Sequence, residues 1–179
     1  MSSAILERFG ACLVAVDWMN THGYTLEEAY AACERGDWLL WFAARVGVDQ
    51  KCLVLVGCEC ARDALQFVPD GDDRPRRAID TAEAWARGEV SIEELRSAAA
   101  VAATAATTYS AYAAAMYAIY TASHGAAYAA AAACVAADAY GAADASIRKT
   151  KLREYADLVR CRIPWPVVAE TLSKQEVEQ

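Results

Sequence analysis

From Ser97 to Ala137 the chain has no Asp, Glu, Lys or Arg. A stretch of that length is enough for a membrane hairpin turning at Ser123-His124-Gly125. It also has hardly any Leu, Ile, Val or Phe to drive insertion, and its tyrosines are spread along it and not gathered into two interfacial belts. The membrane reading is therefore set aside. Elsewhere, clustered Lys and Arg are scarce against a net charge of −7 and a pI of about 4.9, which excludes wrapping of a nucleic-acid backbone. A basic start is lacking too: Met1-Ser-Ser-Ala-Ile-Leu-Glu-Arg8 is interrupted by charge and does not read as a signal peptide.

Chemistry is equally thin. There is no glycine-rich phosphate loop, no Gly-x-Ser-x-Gly and no His-Glu-x-x-His. The two histidines, His22 and His124, are far apart. Cys58-Glu59-Cys60 is the nearest approach to a metal motif, but residues two apart on a helix point to different faces, and structural zinc wants four convergent ligands. The acid pairs Glu27-Glu28, Asp72-Asp73 and Glu93-Glu94 sit at helix starts or in a polar loop, where acids are expected. No metal, no cofactor and no catalytic residue is expected, and the reading is not an enzyme. Seven cysteines, an odd number, set largely within helical patterns, read as small buried hydrophobes in a reducing cytoplasm.

What is present is alanine: 26 of the 48 residues from Ala98 to Ala145. Alanine is the strongest intrinsic helix former and loses no side-chain entropy on folding. With so little apolar bulk, such helices must approach closely and cannot sit around a thick layer of leucine. The punctuation predicts an all-α, single-domain bundle of about seven or eight helices, with two long alanine-rich helices packed antiparallel as a hairpin over about 98–145. The expected segments begin with an apolar helix over residues 4–19. Thr25-x-x-Glu28 and Ser91-x-x-Glu94 are capping boxes, and Asp37 reads as the N-cap of a helix closed by Gly47. A helix from Asp49 is stopped by Pro69. Pro75 opens another, which Gly88 ends. A long helix follows Gly125, with a break foreseen near Tyr140-Gly141, and a short one runs from Pro166 to about Leu172. Residues 1–172 form the expected domain and 173–179 a flexible tail.

Two constellations offer binding chemistry. Arg35, Asp37, Trp38 and Trp41 cluster at a helix start, and Arg74, Arg76, Trp85 and Arg87 decorate a second helix. Arginines beside free backbone amides suit an anion, while the same arginines suit interhelical ion pairs with Asp37 or Asp73. Asp37, Trp38, Arg74, Arg76 and Trp85 are expected to converge. Tyr109, Tyr112 and Tyr120 share one helical face and suit either the core or a protein interface.

Cys33-Glu-Arg-Gly-Asp-Trp-Leu-Leu-Trp41, Arg74-Pro-Arg-Arg through Trp85-Ala-Arg-Gly-Glu89, the alanine-tyrosine tract and Leu152-Arg-Glu-Tyr-Ala-Asp-Leu-Val-Arg160 with Ile163-Pro164 together resemble the immunity proteins of bacterial polymorphic-toxin systems, the immunity-protein-5-like group, over about residues 25–170. The resemblance implies an α-helical, non-catalytic protein that neutralises a toxin or effector by binding it, in immunity or counter-defence. The alternative is a small-molecule binder that sequesters an anionic, nucleotide-like ligand in an Arg/Trp-lined pocket. A protein partner is expected, with no nucleic acid and no membrane. An anionic small molecule and a homo-oligomer stay open.

Overall fold

Local sequence signals set most of the helix ends. The Thr25 hydroxyl accepts from the Glu28 amide at 3.2 Å, and the Glu28 carboxylate accepts from the Thr25 amide at 2.8 Å. Ser91 and Glu94 repeat this arrangement. Asp49 caps its helix by accepting from the Lys51 and Cys52 amides. Gly88 terminates another in the left-handed conformation, at φ +82°, where a Cβ would be strained.

The computed structural model describes residues 2–103, 117, 127–141 and 144–177. Among them the fold is all-α, a single-domain bundle. Its helices are α1 (Ser2–Arg8), α2 (Leu13–His22), α3 (Leu26–Ala32), α4 (Gly36–Arg45), α5 (Gln50–Asp63), α6 (Arg74–Arg87), α7 (Ile92–Ala103), α8 (Ala127–Gly141), α9 (Ala145–Arg162) and α10 (Trp165–Val177), with a 3-10 turn at Ala64–Phe67 after α5. These ten helices exceed the seven or eight expected, for two local reasons. Gly10, at φ +78°, divides the opening helix into α1 and α2. Asp144 starts α9 afresh by accepting from the Ser146 amide at 2.7 Å, so the long helix after Gly125 is also two. The last helix runs past Leu172 to Val177. Of the alanine hairpin expected over about 98–145, residues 104–116, 118–126 and 142–143 lie outside the described residues.

The centre of the bundle is α8. It packs against α4, α5 and α9, and α9 packs in turn on α4. Ala132, Ala133, Ala136 and Ala137 are all fully buried there. Three helices pack against this alanine-rich face, whose small side chains are enclosed by them. Larger residues complete the core, among them Leu40, Leu53, Val56, Ile79, Leu152 and Ile163. On one flank α6 packs between α5 and α7. Where α4 begins, an added Cβ on Gly36 would lie 2.7 Å from the Tyr155 backbone carbon, so only glycine allows α4 and α9 this separation.

None of the described helices is long and apolar enough to cross a membrane.

Candidate functional site

The helix that carries the first constellation starts earlier than expected. Gly36 opens α4, Arg35 occupies the N-cap position without a side-chain cap bond, and Asp37 lies inside the first turn. The Asp37 carboxylate is freed from capping because it faces inward, at 7% exposure. It accepts from Arg35 Nε at 2.8 Å and from Nη2 at 2.5 Å, the bidentate fork that a guanidinium is shaped for. This bond, acting against partial burial, holds the Arg35 proton more tightly than usual. The guanidinium also lies 4.7 Å from the ring centre of Trp38, a cation–π contact.

Trp38 links this pair to an aromatic group. Its ring meets Trp18 edge-on at 6.3 Å, Trp18 packs on Tyr24 at 5.5 Å, and His22 stacks on Tyr24 at 5.1 Å. On the inner side of these rings is a cavity of about 430 Å³, walled by α1–α4 and by Ala131 and Cys134 of α8. Trp18, Trp38, Trp41, Tyr30 and Phe42 supply most of its rings, and Asp37 is the charged residue in its wall. On the outer side a second hollow is lined by His22, Tyr24, Glu34, Arg35 and Lys149.

The second constellation lies elsewhere. Arg74 is bound to Asp72 and lines a groove between α6 and α7 with Arg77, Thr81 and Glu94. Arg76 is exposed, Arg87 pairs with Glu89 at 2.7 Å, and Trp85 packs partly buried on the core. The α6–α7 groove and the aromatic cavity share no lining residue. The expected convergence of Asp37 and Trp38 with Arg74, Arg76 and Trp85 is therefore not seen. The reason lies in the packing: α6 sits against α5 and α7, whereas α4 sits against α8 and α9. The arginines pair with acids two residues away, Asp37, Asp72 and Glu89, in place of stapling distant helices. Tyr109, Tyr112 and Tyr120 lie outside the described residues.

Several residues outside the expected binding constellations organise the interior. Arg160 Nη1 donates to the carbonyls of Tyr30 and Cys33 at 3.2 and 2.8 Å, clamping α9 to the C-terminal end of α3. The Tyr30 hydroxyl donates to the Ile163 carbonyl at 2.6 Å. Asp63 gathers the Tyr155 hydroxyl and Lys151 Nζ, each at 3.1 Å, and burial, with the nearby Asp63, pushes the Tyr140 phenol up to about 12. Tyr30 and Tyr155 lie in apolar helical patterns, which mark burial without naming a partner. The buried thiols are inert by the same physics. Burial pushes Cys33 up to about 11 and raises Cys58 and Cys60 further, so these three stay protonated near neutral pH. Among the described residues no three His, Cys, Asp or Glu side chains group as a metal site.

Residues 47–164 match the model of a family described as "Imm-5 like putative immunity protein". The chain belongs to this family. Membership makes it a non-catalytic, immunity-type binding protein. No curated protein and no solved structure matches it. The match takes in the Arg74–Glu89 and Leu152–Arg160 segments and starts after the Cys33–Trp41 segment, so the family region corresponds to α5–α9. The helices that wall most of the aromatic cavity precede it.

Proposed function

We propose that this immunity protein works stoichiometrically, capturing a basic toxin or effector on an acidic surface. The supporting observation is how its cations are used. Arg35, Arg62, Arg74, Arg87, Arg148, Arg153, Arg160 and Arg162 are all engaged by the chain's own carboxylates. What is left of the −7 net charge faces outward on residues such as Asp17, Glu27, Asp70 and Glu93, all exposed. Unbalanced surface charge of one sign steers an oppositely charged partner and speeds its capture. The seven free cysteines support a reducing, cytoplasmic setting.

The test is a titration of the cognate effector. Inhibition saturates at one equivalent, and affinity falls as salt screens the charges. Progressive loss of effector activity with a trace of this protein would identify an enzyme instead. The anionic-ligand alternative gains nothing from the geometry. Arg74 and Arg76 do not line the aromatic cavity, and the charged residue in the cavity wall is an acid.

A further inference from the structure

We propose that the cavity walled by α1–α4 and α8 is a binding site for a neutral, flat, largely apolar molecule of about two fused or linked rings. This stands apart from effector capture, since most of its wall precedes the family match.

Three observations carry it. The first is size. This cavity, open to solvent on one side, has a volume of about 430 Å³ and lies in the roughly 300–1,000 Å³ range of ligand pockets. The second is the wall. Trp18, Trp38, Trp41, Tyr30 and Phe42 offer broad ring faces, while Ala15 and Ala29 leave the space open. Such a surface gives water few partners and gives a flat ring dispersion contacts on several sides.

The third observation is charge. Asp37 is the charged residue of the wall, and both its oxygens are already taken by Arg35. A cationic ligand would meet a carboxylate already neutralised by that guanidinium, and an anionic one would face a buried carboxylate. A neutral ligand meets neither cost. Access is provided as well. Gly10 and Cys12 are the exposed lining residues, which places the mouth at the turn between α1 and α2. Open space surrounds Gly10 there. Leu13 and Val14, 79% and 66% exposed, continue the apolar surface past the mouth.

The experiment uses the full chain and the neutral probe N-phenyl-1-naphthylamine, read by its own emission and by quenching of tryptophan fluorescence. Binding at one equivalent is expected, with a dissociation constant on the order of 10 µM. The sulfonated analogue should bind about tenfold more weakly. Ala15→Phe and Ala131→Phe fill the cavity from opposite walls, and each should abolish binding while keeping native helicity and a cooperative melt. If one of them fails to fold, the other carries the test. Leu13→Ser with Val14→Ser removes the outer apolar patch and should leave binding intact. The proposal is overturned if wild type shows no saturable binding, if a well-folded filled variant still binds, if the Leu13/Val14 variant loses binding, or if the sulfonate binds as well as the neutral probe.

Discussion

The two sides of α4 solve the same packing problem with opposite materials. Toward α8 and α9 the contacts include alanine and glycine: Ala133 and Ala136 are fully buried, and Gly36 has no room for another carbon. Toward α1–α3 the contacts are tryptophan, tyrosine and phenylalanine, and a cavity of about 430 Å³ remains. Small side chains hand the fit to the backbone, which is regular and closes evenly. Rigid rings cover much area in fixed shapes and meet at angles that leave space. Composition alone would rank the aromatic side as the stronger core. Fit ranks it the other way.

Substitutions of similar chemistry break or sharpen this contrast. The largest effect is expected at Gly36→Ala, whose added carbon meets the α9 backbone at 2.7 Å; a loss of about 3 kcal/mol should appear as a lower urea midpoint. Ala136→Leu, in the fully buried α8 seam, should cost about 2 kcal/mol in the same assay. If it leaves the midpoint unchanged, the alanine seam is not tightly packed. At the border of the two regions, Asp37→Asn keeps shape but removes the charge that Arg35 grips, and about 1–2 kcal/mol should be lost.

The aromatic side also predicts a pH response. Burial raises the Cys33 thiol from 9.0 to about 11, so the folded chain keeps a proton there that the unfolded chain releases first. That contribution is complete below about pH 9 and is lost as pH rises toward 11. Urea midpoints across this window should fall, and Cys33→Ala should reduce the slope without flattening it, because Cys58 and Cys60 are raised in the same direction. The smallest effect has the opposite sign. Ala29→Leu, pointing bulk into the cavity, should gain about 0.5–1 kcal/mol where a like change in α8 loses stability. Equal losses at Ala29 and Ala136 would erase the distinction between the two sides.

Much of this was legible in the sequence because it is local. The capping boxes at Thr25 and Ser91, proline at the start of α6 and glycine at its end each act within one turn, so sequence distance and spatial distance agree. Asp37 shows where that logic stops. An acid after glycine and before an apolar run has the pattern of an N-cap, yet burial and a neighbouring arginine gave it another role. The cavity was illegible for a related reason: residues that line a void and residues that fill a core share one apolar pattern. The placement of Arg74 away from Asp37 depends on which helix faces which, a matter of α5 intervening, and no spacing within either segment encodes it.

The Arg160 clamp has a consequence for how the chain is made. Its guanidinium grips carbonyls up to 130 residues earlier, and the Tyr30 hydroxyl waits for Ile163. A ribosome adding about 5–20 residues per second leaves that gap open for on the order of 10 s. Through that interval α3 and α4 have emerged while the helices that cover them have not, and their tryptophans remain in contact with solvent or with a chaperone. The native arrangement of the N-terminal quarter is thus settled last, although it is synthesised first.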